Sequence, residues 1–150
     1  MAITAKRVLV KRVYETPARS DGTRVLVDRL WPRGLTKERA AADLWLRDLA
    51  PSDSLRKWYH ARPAEWPNFR MRYLKELARP EAAGALDVLY RLANRRKTLT
   101  LLFASTNEQR NNAVVLKDLL EGMRKPPTGT GPAGARAGRE QEAKRMPRKQ

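Results

Sequence analysis

Arg24-Val25-Leu26-Val27-Asp28-Arg29-Leu30-Trp31-Pro32-Arg33-Gly34 decides how the rest of this chain is read. Val-Leu-Val without an intervening polar residue is the pattern of a strand buried on both faces, as in the middle of an α/β sheet. Pro32 and Gly34 forbid regular continuation. A short loop therefore leaves the carboxyl end of that strand carrying one aspartate, two arginines and a tryptophan.

Working outward, Arg7 to Tyr14 is β-branched and predicts a first strand, followed by a turn-rich connection from Glu15 to Thr23 that closes on Asp21-Gly22. On the other side, Thr36 is a candidate N-cap for a helix running to Leu49, with Ala41, Leu44, Trp45 and Leu49 on one stripe. Ala50-Pro51 stops it. Ser52 caps a short helix with Leu55, Trp58 and Tyr59, and a third helix spans Trp66 to Ala78 with Phe69, Tyr73 and Leu77 in register. A fourth opens with Pro80 and carries Leu86, Leu89, Tyr90 and Ala93. Lys97 to Ala104 predicts a third strand, and Asn112 to about Met123 a last helix.

The order β-β-α-α-α-α-β-α predicts a small α/β domain of two or three layers. A short, at least partly parallel sheet of about three strands is flanked by about five helices. Parallel strands need a long crossover, which the helical stretch between strands two and three supplies. Ligands of such sheets bind beyond the carboxyl ends of the strands. If strands two and three are neighbours, the loop from Asp28 to Gly34 and the loop from Ser105 to Asn112 emerge side by side.

Composition bounds the chemistry. At 150 residues and 41% apolar, the chain has room for one core. It has no cysteine, so disulfides, thiolate nucleophiles and sulfur-ligated zinc are excluded. His60 is the single histidine, which rules out a multi-histidine metal site. The sequence predicts no metal and no cofactor. The N-terminus lacks the apolar core of a signal peptide, and no apolar run approaches the ~20 residues of a membrane span. A cytoplasmic, soluble protein without membrane contact is the expectation, and oligomeric state is left open.

The net charge is +16. From Lys125 onward seven basic residues stand against two acidic ones, so that segment contributes +5 and residues 1–124 the other +11. Residues 125–150, rich in Pro, Gly and basic residues, are expected to be a disordered tail beside a domain of residues 1–124. Such a field attracts polyanions and makes their binding salt-dependent. A basic surface that serves only solubility is the bland alternative.

The candidate ligand-binding residues are Asp28, Arg29, Trp31, Arg33, Ser105, Asn111 and Asn112. Arginine offers a rigid fork for carboxylate or phosphate, and tryptophan a face for a ring or cation. The alternative is that Asp28 pairs with one arginine to fix the loop while Trp31 covers the core edge. Asn111 and Asn112 stand where a helix N-terminus favours negative charge; capping explains one asparagine, and the second is left for a ligand. His60 is read as a surface residue or cap rather than an acid–base group, because no partner stands at a useful spacing. No catalytic residue is identified.

These motifs, together with Leu49-Ala50-Pro51-Ser52, Leu55-Arg56-Lys57-Trp58, Phe69-x-x-x-Tyr73-x-x-Glu76-Leu77, Thr100-Leu101-Leu102 and Asn112-Ala113-Val114-Val115-Leu116, resemble the YeaO-like branch of domain-of-unknown-function family 488 (DUF488). The resemblance covers roughly residues 6–122. It implies a small bacterial or archaeal α/β fold and no established reaction. Other branches of the family are expected to carry a cysteine in the loop before the last helix; asparagines stand there in this chain. The names methyltransferase and transcriptional regulator, attached to this branch, find no glycine-rich cofactor loop or helix-turn-helix here.

Two functions follow as expectations. One is a crevice at the carboxyl ends of the strands that binds a small anionic or planar ligand. The other is a nucleic-acid-binding accessory protein using its basic body and tail, with Arg70, Arg72, Arg95 and Arg96 on one face. A purely structural interaction module is a third.

Overall fold

A computed structural model describes residues 7–122. The expected tail, residues 125–150, lies outside them. Four strands, β1 (Val8–Arg12), β2 (Thr23–Leu26), β3 (Leu44–Trp45) and β4 (Leu99–Phe103), form one sheet in the order β1-β4-β2-β3. Every pairing is parallel. β4 sits between β1 and β2, with Val10 and Val25 both opposite Leu101. Five α-helices accompany the sheet among the described residues: α1 (Lys37–Ala40), α2 (Asp53–Ala61), α3 (Trp66–Leu77), α4 (Pro80–Ala93) and α5 (Asn112–Gly122).

The two faces of β2 and β4 are packed unequally. Val25, Val27, Leu99, Leu101 and Phe103 point into the main core with Phe69, Tyr73, Leu77, Leu86, Leu89 and Leu116 from α3, α4 and α5. Leu26 and Leu102 point the other way, into a smaller cluster with Val13, Ala40, Trp45, Trp31 and Leu35. The uninterrupted Val25-Leu26-Val27 is accordingly buried on both faces, each residue at 0% exposure.

The expected helix from Thr36 to Leu49 is the main correction. Thr36 does cap a helix, its hydroxyl accepting from the Arg39 amide, but α1 ends after one turn at Ala41, which lies at φ 49°. The chain then becomes the fourth strand, β3, and a 3₁₀ turn at Arg47–Leu49. β2 accounts for the break. The Asp43 amide donates to the Arg24 carbonyl at 2.7 Å, the Asp43 carboxylate accepts the Arg24 amide at 2.8 Å, and the Leu46 amide donates to the Leu26 carbonyl at 2.9 Å. The Arg24 side chain also donates to the carbonyls of Ala40 and Ala41 at 2.8 and 2.9 Å. An edge strand satisfies β2 where a continued helix would leave its outer edge open.

At the amino end of β2, Gly22 has φ +66°, and a Cβ there would stand 2.1 Å from the Thr98 carbonyl oxygen. Only glycine fits both restrictions. Among the described residues no helix is long and apolar enough to cross a membrane.

Candidate functional site: the carboxyl ends of the strands

Because β2 and β4 are parallel neighbours, the loop after Val27 and the loop after Phe103 leave the sheet together. Asp28 joins them. One carboxylate oxygen accepts the Ala104 amide at 2.9 Å, and the other accepts the Asn112 side-chain amide at 3.1 Å. Asn112 also donates to the Val27 carbonyl at 3.0 Å, so one side chain from the start of α5 ties off the end of β2. Withdrawal from water pushes the Asp28 carboxyl above its usual range; the Ala104 and Asn112 bonds and the nearby Arg56 charge pull the other way without cancelling it.

The two arginines of the loop do not pair with Asp28, against the sequence-based alternative that one of them fixes it. Neutral donors, a backbone amide and an asparagine, already hold both oxygens. Arg29 instead reaches across to the chain before α2, donating to the carbonyls of Pro51 and Ala50 at 3.3 and 3.4 Å. Those bonds are long, and the remaining guanidinium donors are left over. Arg33 is exposed, and its carbonyl accepts the Tyr14 hydroxyl at 2.9 Å.

Trp31 covers the core edge. Its ring meets Trp45 edge-on with centroids 5.3 Å apart, and its indole N–H donates to the Leu35 carbonyl at 2.7 Å. Trp31 is thus partly buried against the smaller cluster. Trp45 in turn donates to the Asp28 carbonyl at 2.8 Å.

The two asparagines divide the work. Asn111 is the cap of α5: its side-chain oxygen accepts the Val114 amide at 3.0 Å, and its amide donates to the Asn107 carbonyl at 2.7 Å. Asn107 folds the preceding loop by accepting the Gln109 and Arg110 amides at 3.1 and 3.0 Å. Ser105 is exposed; its hydroxyl oxygen accepts the Asn107 amide at 3.1 Å, leaving the hydroxyl hydrogen to donate outward. Arg12 holds this loop from β1, donating to the carbonyls of Ala104 and Ser105 at 2.9 Å each.

Residues read from the sequence as a cap, as helix stripe or as family motif, and not as ligand candidates, complete the wall. The Ser52 amide and hydroxyl both donate to Glu76 of α3, at 2.7 and 2.5 Å, while the same hydroxyl oxygen accepts the Leu55 amide at 3.2 Å to cap α2. The Tyr73 hydroxyl donates to the Leu49 carbonyl, and burial with Asp28 and Glu76 close by pushes that phenol well above its usual range. The Tyr59 hydroxyl donates to the Arg110 carbonyl at 3.2 Å, bringing α2 against the loop before α5. These pairs are 24 and 51 residues apart and leave no local trace in the sequence. His60, at the last turn of α2, is exposed and has no ion pair among the described residues.

The family model described as the inactive DUF488-N3 subclade matches residues 7–132. The chain belongs to that family. It is 44% identical over 115 residues to the uncharacterized protein YeaO of Escherichia coli strain K12, covering 75% of this chain and 96% of that one. It is 42% identical over 116 residues to uncharacterized proteins of Mycobacterium bovis and Mycobacterium tuberculosis, covering 77% of this chain and 95% of each. No solved structure matches. For this DUF488-N3 chain, the asparagine-rich loop before α5 is where the resemblance places a cysteine in other branches, and here that loop caps a helix and anchors β2.

Proposed function

We propose that this protein binds a small anionic ligand at the carboxyl ends of β2 and β4 without transforming it. The observation that carries the reading is the division of roles among the polar groups there. Asp28, Asn111, Asn112 and Trp31 have their bonding groups engaged in holding the two loops together. The groups left over include several donors and cations: the spare guanidinium hydrogens of Arg29, the Ser105 hydroxyl, the exposed Arg33, and the Asn112 and Ala113 amides at the start of α5, which have no intrahelical acceptor. Donors gathered at a helix N-terminus favour negative charge. No side chain beside them supplies a thiolate or an imidazole, and the subclade to which the chain belongs is described as inactive.

Asp28 is then the brace of the site rather than its reagent. Its two oxygens are turned to the Ala104 amide and the Asn112 side chain rather than toward the outward-facing cations.

The reading is tested by thermal shift against inorganic phosphate, small carboxylates and nucleoside monophosphates. At least one anion should raise the melting temperature of the parent, with Arg29→Ala and Arg33→Ala variants folded but unresponsive. A panel that stabilises all three proteins alike, or none, contradicts it.

A further inference from the structure

Away from those loops, an open groove of about 400 Å³ runs between α2 and α3, lined by Ser54, Trp58, Arg72, Lys75, Glu76 and Arg79. Its charge is lopsided in a way that plain solvation of a helix face does not require. Arg72, Lys75 and Arg79 are exposed, and none of the three forms an ion pair among the described residues. The one acid in the lining, Glu76, is turned away to the Ser52 amide and hydroxyl at 2.7 and 2.5 Å. Arg72 lies over the Trp58 ring at 4.3 Å from its centroid, and Arg62 approaches the same ring at 5.6 Å. A guanidinium resting on an indole is oriented before any ligand arrives, so it loses less freedom on binding than a free side chain.

We propose that this groove binds the phosphodiester backbone of single-stranded nucleic acid. Arg72 and Lys75 stand one turn apart on α3, and Arg79 follows beyond the end of that helix. The cations therefore form a row rather than the single cradle that one isolated phosphate would need. A basic groove that tracks the backbone is how a single strand is followed, with Trp58 here orienting Arg72 rather than stacking a base, whereas duplex is met by an element placed in a groove of the DNA. The net charge of +16 supplies the long-range attraction, and the groove supplies the place where it is converted into contact. Its cations, Arg72, Lys75 and Arg79, are not residues of the anion crevice, so the proposal stands or falls separately from it, although Glu76 borders both.

The test is fluorescence anisotropy of a labelled single-stranded oligonucleotide of about 20 nucleotides, titrated with the full chain at several salt concentrations. Two triple variants remove equal charge: Arg72→Ala/Lys75→Ala/Arg79→Ala in the groove, and Arg95→Ala/Arg96→Ala/Lys97→Ala in the exposed turn after α4. The groove variant should bind at least about tenfold more weakly, and its log–log salt slope should flatten by about 2, three phosphate contacts at roughly 0.7 each. The control variant should lose much less of both. Circular dichroism melting confirms that each is folded, as expected for exposed positions. Equal losses in the two variants, or no loss in the groove variant, overturns the proposal. So does an acidic polypeptide such as polyglutamate displacing the labelled strand as well as unlabelled oligonucleotide does.

Discussion

β2 carries an aspartate near each end, and the two are held in opposite ways. Asp21, before the strand, is 4% exposed and sits among charges: Lys11 donates to it at 3.0 and 3.1 Å and Arg24 at 2.5 Å, with the Ala18 amide at 2.9 Å. Burial pushes its carboxyl up, but those bonds outweigh it and leave the pKa below the usual range. Thr100 adds a bond to the Asp21 carbonyl at 2.7 Å, so β1, β2 and β4 are locked together at that end. Asp28, after the strand, has neutral partners and a raised pKa. The amino end is a buried network in which one carboxylate is shared by two cations. The carboxyl end is braced by neutral bonds and leaves cationic and donor groups facing outward, which is what a ligand site requires.

The largest expected effect lies at the amino end. Asp21→Asn leaves Arg24, itself 4% exposed, without its counter-charge and should cost about 3–5 kcal/mol in chemical denaturation. The two ends should also respond oppositely to pH. Asp21, with its lowered folded pKa, contributes stability that is fully present above the unfolded carboxylate value and is lost as pH falls through the folded one. Asp28, with its raised folded pKa, contributes stability present below the unfolded value and lost as pH rises through the folded one. Asp28→Asn should therefore cost only about 1 kcal/mol at neutral pH and flatten the stability profile just above the ordinary carboxylate range. A variant whose profile still declines there as steeply as the parent's would assign the decline to another group.

A smaller effect separates the asparagines. Asn111→Ala should cost ~1 kcal/mol, with Ser or Asp tolerated in its place, as expected of a cap. Asn112→Ser should do worse than Asn111→Ser, because the shorter side chain cannot span the Val27 carbonyl and Asp28 together. Equal melting temperatures for the two serine variants would remove the distinction. The smallest effect belongs to Arg33→Ala, within about 0.5 kcal/mol in stability, since its side chain is exposed.

The sequence made the frame of this comparison visible and hid its content. Val25-Leu26-Val27 marked a strand buried on both faces, and the helical stretch before Lys97 was long enough for a parallel crossover, so the two loops were expected side by side if the strands were neighbours, as β2 and β4 are. Pro51-Ser52 and Pro80 marked helix starts that the structure shares. The stripe of Leu44 and Trp45 misled, because two residues at an edge strand satisfy helical spacing equally well and the bonds to β2 that decide between them are non-local. The partners of Asp28 were illegible for the same reason: a backbone amide carries no sequence signal, and Asn112 lies 84 residues away.

The central claim is that the cations at the amino end of β2 are committed to Asp21 and to buried carbonyls, whereas those at its carboxyl end face outward. Amide chemical-shift mapping by ¹⁵N NMR during titration with inorganic phosphate tests it most directly. The account predicts saturable shifts at Arg29, Ser105, Asn112 and Ala113, and none at Asp21, Gly22 or Thr100. Saturable shifts at the Asp21 end, or shifts at neither end, would contradict it.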